Sequence, residues 1–200
     1  MEKIAFFISG TGGNAVNLLQ ACREGRVPAE PVLAVCSNPK ALGIERLQKE
    51  GLPVVALSRK DFADDASYST ACLERVESAG ATVICLCGWL KKLVVPPAWK
   101  GRILNIHPGL LPRFGGAGMY GRHVHEAVLA AGEMESGCTI HIVDNVYDHG
   151  RHLAEARVAV LPEDTPETLQ KRVYEQEMRL YPLALAAFLQ EVPSRGRATG

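Results

Sequence analysis

What the sequence lacks narrows its function first. It has no excess charge of either sign: 22 Lys plus Arg balance 22 Asp plus Glu in 200 residues. No global basic field directs it to nucleic acid, and only a local anion site stays open. The apolar run that follows Met1-Glu2-Lys3 is too short to span a bilayer and has neither the cationic flank nor the cleavage signature of a secretory signal. A cytoplasmic protein with no membrane partner is expected. Six cysteines, at 22, 36, 72, 85, 87 and 138, form no CxxC pair, and Cys85-x-Cys87 has no companion pair at metal-ligand spacing. They read as small hydrophobes in a reducing compartment. There is no Walker ending, no HExxH and no GxSxG elbow, so those motif-borne routes to nucleotide hydrolysis, zinc chemistry and a serine acyl-enzyme are absent. Neither an internal repeat nor a linker divides the chain.

What is present is an alternation of apolar strands and helical stretches. With 47% hydrophobic residues the chain supports one sizeable α/β core. Strands are expected at Ile4–Ile8, Val32–Cys36, Val54–Leu57 (short, towards an edge), Val83–Leu86 and Ile103–His107. Helices are expected at Ala15–Cys22, Leu42–Glu50 and Tyr68–Val76. This is the pattern of a doubly wound, mostly parallel sheet with helices on both faces, in which ligands bind at the carboxyl ends of the strands. A helix opened by His123 and His125 follows, then strands at Gly137–Val143 and Leu153–Leu161 joined by a polar loop, 144–152. A final helical region starts at Thr165-Pro166 and is divided at Pro182. One domain is expected over 1–192, with a frayed polar tail at 193–200.

Three strand ends carry the chemistry. Ser9-Gly10-Thr11-Gly12-Gly13-Asn14 is a glycine turn between strand and helix, the geometry that aims backbone N–H groups at an anion; the competing reading is a plain tight crossover. Cys87-Gly88-Trp89-Leu90-Lys91-Lys92 follows the fourth strand and either lines a flat aromatic ligand or packs its tryptophan into the core. Asn105 and His107, two apart in an extended segment, face one cleft while Leu104 and Ile106 enter the packing layer. An amide can donate to an oxygen that gains charge, and an imidazole can move a proton beside it. Asp144 and Asp148 are both candidates to support His107. Glu177 is a candidate carboxylate on the last helix. His123 and His125 do not share a helical face, and no metal site is expected. Together these residues point to direct transfer of a small acyl group.

The segment Asn105-Ile106-His107-Pro108-Gly109-Leu110-Leu111-Pro112 resembles the N-I-H-P-S/G-L-L-P motif of the phosphoribosylglycinamide formyltransferases, folate-dependent enzymes of purine biosynthesis. The resemblance runs from the Ser9 turn to Tyr181-Pro182 and takes in Ser37-Asn38, Gly88-Trp89-Leu90, His123 and Val146-Tyr147-Asp148-His149-Gly150. It implies a single Rossmann-like formyltransferase domain that moves the formyl group of 10-formyltetrahydrofolate to the amine of glycinamide ribonucleotide without a metal. Asn105, His107 and Asp148 would be catalytic. Gly12, Gly13 and Asn14 would hold the ribonucleotide phosphate, with Glu177 on its ribose or glycinamide portion. Trp89, Leu90, Val143, Val146 and Tyr147 would embrace the pterin. The implied partners are these two small molecules, with the protein a monomer or homodimer. The chain departs from the family pattern at Arg151-His152, where proline is usual, at Glu155, where glutamine is usual, and in longer glycine loops at the phosphate turn and at Phe114–Gly121. Methionyl-tRNA formyltransferase, formyltetrahydrofolate hydrolase and a non-catalytic nucleotide-binding domain are the alternatives. The first two would carry additional domains.

Overall fold

The structure, a computed structural model, describes residues 1–191. The expected tail at 193–200, and the last residue of the expected 1–192 domain, lie outside the described residues. The elements run β1 (Glu2–Ile8), α1 (Gly13–Arg23), β2 (Ala29–Cys36), α2 (Leu42–Lys49), β3 (Val54–Ala56), α3 (Asp65–Ser78), β4 (Val83–Leu86), β5 (Ile103–His107), α4 (Arg122–Ala130), β6 (Glu135–Ile142), β7 (His152–Ala159) and α5 (Pro166–Glu191). The strands form one sheet in the order β3-β2-β1-β4-β5-β6-β7. The first five are parallel, whereas β5–β6 and β6–β7 pair antiparallel. The chain reverses its direction of travel across the sheet between β1 and β4, so the crevice at their carboxyl ends is the place where such folds bind ligands.

The period-two alternation of the strands sorts the core into two layers. Ile4, Phe6 and Ile8 enter one, with Leu18 of α1, Val124 of α4, and Leu169, Val173, Tyr181 and Leu185 of α5. Ala5 and Phe7 enter the other, with Tyr68, Cys72 and Val76 of α3 and with Trp99. Phe6 and Phe7 are fully buried on opposite faces, each contributing about 1.5–3 kcal/mol relative to exposure. Five of the six cysteines are buried and all are free. Burial pushes the Cys22 and Cys72 thiols up to about 11 and Cys138 to about 12, as expected of hydrophobes rather than nucleophiles.

Two details correct the sequence reading. Helix α3 begins earlier than Tyr68, because Asp64 and Ser67 form a reciprocal capping box. The last helix is not divided at Pro182 but runs unbroken through it. Proline has no N–H for the carbonyl four residues back, Met178, and Asn17 Nδ2 of α1 donates to that oxygen at 2.7 Å instead. Immediately before Pro182, the Tyr181 hydroxyl lies 3.2 Å from the carbonyls of both Leu86 and Leu104, fixing α5 to the sheet beneath the crevice. Among the described residues no helix is long and apolar enough to cross a membrane.

Candidate active site

A cleft of about 450 Å³ opens at the carboxyl ends of β1, β4 and β5. All twelve residues to which the family resemblance gives a role line it. They fall into three groups along its length.

At one end, β1 runs into the glycine turn. Gly12 takes φ +68° as N-cap of α1 and no side chain caps the helix, so its first N–H groups are left to face the cleft. Gly13 is boxed in: a Cβ there would collide with the Tyr174 hydroxyl. Asn14 Nδ2 donates to Glu177 Oε2 at 2.8 Å, and both side chains are buried. Burial pushes the Glu177 carboxyl up to about 7, against the stabilising hydrogen bond from Asn14. Asn14 Oδ1 is buried without a partner.

The opposite end is walled by the loop after β4 and the loop between β6 and β7. Leu90, Val146 and Tyr147 are 52%, 60% and 49% exposed, an apolar rim in place of a polar one. Val143 ends the adjoining strand pairing, its N–H donating to Ile103 at 2.8 Å. Trp89 does both things that the sequence left open: it lines the cleft, but its ring packs on Phe7 at 4.8 Å and stacks on Tyr68 at 5.9 Å within the core. Its Nε1 is buried without a partner.

Between these ends lie Asn105, His107 and Asp148. Of the two aspartates, Asp144 is taken up by His149 at 3.0 Å and by the Val146 N–H, whereas Asp148 Oδ2 lies 3.5 Å from His107 Nδ1. Asp148 adopts φ +53°, a left-handed conformation tolerated by Asp better than by most residues. Gly115 leaves room for it, since a Cβ there would sit 3.2 Å from Asp148 Cβ, and the Gly116 N–H donates to Oδ2 at 2.9 Å. Burial draws the Asp148 carboxyl upward, but His141, the charge of His107 and the Gly116 N–H outweigh it and hold the group below its ordinary value. Burial lowers His107, with Asp148 opposing. At neutral pH the pair is a neutral imidazole beside a carboxylate. The Phe114 carbonyl, 2.7 Å from His107 Nε2, accepts the ring proton and leaves the Nδ1 lone pair towards Asp148 and the cleft.

The sequence reading missed His141. It sits in β6 directly opposite Asn105, so both side chains project from the same face. Its Nε2 is 3.1 Å from Asn105 Nδ2 and 3.4 Å from Asp148 Oδ1, while Nδ1 is 3.0 Å from the Ile142 carbonyl. Nε2 thus lies between the Asn105 amide and the Asp148 carboxylate, and a contact with Asn105 Nδ2 engages only one of the two amide hydrogens, leaving the second available. A signal existed in the alternation Thr139-Ile-His141, but only the register of β5 with β6 makes it specific. His125 and Tyr174 were also missed as lining residues. His125 is buried with an unpartnered Nδ1, and burial followed by the charge of His107 brings it down to about 4. His123 instead points to Glu126 at the surface. Among the described residues no group of three or more His, Cys, Asp or Glu is arranged to hold a metal ion. The family departures Arg151, His152 and Glu155 do not line the cleft.

With this geometry in hand, comparison with known proteins is informative. Residues 2–185 match the family described as formyl transferase. The chain is 34% identical to the phosphoribosylglycinamide formyltransferase of Haemophilus influenzae, covering 94% of this chain and 87% of that protein. It is 38% identical to the trifunctional purine biosynthetic protein adenosine-3 of Drosophila melanogaster, of whose length it spans only 14%. Among solved structures, glycinamide ribonucleotide transformylase 1 from Symbiobacterium toebii superposes with a TM-score of 0.90 at 32% identity, covering 98% of this chain and 92% of that one. Phosphoribosylglycinamide formyltransferase from Bacillus halodurans gives 0.87 at 34% identity, covering 95% and 96%. The chain belongs to the formyl transferase family, and the members it resembles over nearly their whole lengths are phosphoribosylglycinamide formyltransferases.

Proposed function

We propose that this protein transfers a formyl group from 10-formyltetrahydrofolate to the primary amine of glycinamide ribonucleotide, giving formylglycinamide ribonucleotide and tetrahydrofolate. The observation that carries the reading is the meeting of an amide donor, a neutral imidazole and a carboxylate midway between an anion-directed glycine turn and an apolar rim. The cleft suits a long folate at the rim end: Leu90, Val146 and Tyr147 offer apolar surface beside an unpartnered indole N–H. The folate supplies the formyl carbon as an N-formyl amide, at the oxidation level of formate, so its transfer to an amine needs no oxidant or reductant.

Gly12, Gly13 and Asn14 hold the phosphate through the first turn of α1, and Glu177 accepts from hydroxyl or amine hydrogens of the ribonucleotide. They line the same cleft as Asn105, and the amine of the ribonucleotide held there attacks the formyl carbon directly, without an acyl-enzyme. As the new C–N bond forms, the carbonyl oxygen gains negative charge, and the second Asn105 N–H donates to it, a contact worth about 10²–10³ in rate. His107 Nδ1 takes the proton that the attacking nitrogen must lose. Asp148 stabilises the resulting imidazolium, and the same proton returns to the departing folate nitrogen as the C–N bond to it breaks. Asp148 is suited to this by staying ionised, and His107 by being neutral before attack. The proposal places the enzyme in the cytoplasm, as a monomer or homodimer acting on two small molecules.

The test is an absorbance assay for folate release with and without the ribonucleotide. Release that requires the ribonucleotide supports transfer. Release without it indicates hydrolysis, and no release from folded protein moves the reading to a nucleotide-binding domain.

A further inference from the structure

We propose that Asn145 is a positioning residue: it ties the loop that carries Asp148 to the buried segment that continues the loop after β4, so that the carboxylate is held by the same segment whose start walls the rim end, where the folate would rest. The inference builds on the function proposed above. Asn145 Oδ1 accepts the Val95 N–H at 2.8 Å, and Asn145 Nδ2 donates to the Val95 carbonyl at 3.2 Å. This two-point pairing admits only one orientation of the amide, because the flipped group would set oxygen against oxygen and N–H against N–H. It joins segments 50 residues apart in the chain. Val95 is buried, and its neighbour Val94 is anchored to α3 by an N–H donated to Ser69 Oγ at 2.8 Å. That segment is therefore the fixed partner and the loop the one being held.

A second tie lies nearby. Lys92 Nζ sits 5.4 Å from the centroid of the Tyr147 ring, within the range of a cation–π contact. Only Val146 and Tyr147 separate Asn145 from Asp148, and the Val146 N–H closes a turn on Asp144 Oδ1 at 2.8 Å. The arch from Asp144 to Asp148 is too short to absorb a shift at Asn145 without moving a carboxylate whose backbone already stands at φ +53°. Both polar groups of the Asn145 side chain are spent on Val95, so its influence on the reaction passes through Asp148 and from there to His107.

The test compares full-length wild type with Asn145→Ala and with Asn145→Asp, which keeps the acceptor for the Val95 N–H but faces the Val95 carbonyl with a second oxygen. Three quantities are read: kcat and KM for each substrate, the pH profile of kcat, and hydrogen–deuterium exchange over 88–96 and 144–151. Both variants should lose kcat on the order of tenfold with little change in KM for the ribonucleotide, which binds at the other end. The acid limb of the profile should move to lower pH as His107 loses Asp148, and exchange should rise in both segments together. Unchanged kcat with only a lower Tm, a fall in kcat with an unmoved acid limb, or faster exchange in one segment alone would each overturn the proposal. If wild type itself transfers no formyl group to the ribonucleotide, the functional reading fails, while the tie between the segments is still decided by the exchange data.

Discussion

The two ends of the cleft are built by different means. At the glycine-turn end the lining polar groups are backbone N–H groups at a helix start and a buried Asn14–Glu177 pair, with Gly13 packed against Tyr174. These belong to β1, α1 and α5, elements that share one core layer, so that end is preformed. At the rim end the lining side chains Leu90, Val146 and Tyr147 are half exposed and carried by loops, joined to each other by Asn145 and Lys92. In the proposed function this difference matches the two ligands: a rigid end for the small charged one and an adaptable end for the larger, flatter one. The groups proposed to be catalytic belong to both, since Asn105 and His107 come from a central strand and Asp148 from the rim loop.

Substitutions can break or sharpen that contrast. The largest effect is expected from His107→Ala or Asn105→Ala, which should lower kcat by about 10²–10³ while leaving ribonucleotide affinity, measured by calorimetry, close to wild type. Loss of binding together with activity would mean that the strand end shapes the pocket rather than performs chemistry. Asp148→Asn should lower kcat by about tenfold or more. Asp148 raises the imidazole pKa against burial, so removing its charge lowers that pKa further, and the acid limb of the kcat–pH profile should move down; an upward shift would contradict the assignment.

Gly13→Ala probes the preformed end alone. Its Cβ meets the Tyr174 hydroxyl, so either the turn with its N–H groups or the Tyr174 side chain lining the same end must shift, and KM for the ribonucleotide should rise by roughly tenfold with KM for folate unchanged. Equal rises in both would erase the division of the cleft. Glu177→Gln gives the smallest effect, read in stability. The Glu177 carboxyl has its folded pKa raised from 4.5 to about 7. Well below pH 4.5 both the folded and unfolded forms are protonated and burial of the ionised group costs nothing. Between pH 4.5 and about 7 the unfolded chain ionises while the folded carboxyl stays protonated, so wild type loses stability across that window, on the order of 3 kcal/mol by the time pH exceeds 7. The variant should therefore unfold at a higher temperature than wild type at pH 8 and at nearly the same temperature near pH 4. A constant difference across that range would show that Glu177 is not held in a raised state.

Much of this was legible in the chain. The alternation of Ile4–Ile8 with the glycine turn and α1, repeated through Val83–Leu86 and Ile103–His107, fixed a doubly wound sheet because period-two burial and turn chemistry are local properties. Asn105 and His107 could be paired from spacing alone. What depended on tertiary register could not: His141 is meaningful only because β6 pairs antiparallel with β5 and sets it opposite Asn105. The same is true of Asn145, whose partner is backbone 50 residues away. Pro182 was misread because its compensation comes from Asn17 on another helix, a contact that no local rule contains.

The most direct test of the account follows the formyl carbon itself. Wild-type protein would be mixed with folate carrying a carbon-13 formyl group and one equivalent of glycinamide ribonucleotide, and the label traced by NMR, with His107→Ala run alongside. The account predicts that the label appears in a new amide on the ribonucleotide with wild type and remains on the folate with the variant. Label in free formate, or transfer that persists undiminished without His107, would contradict it.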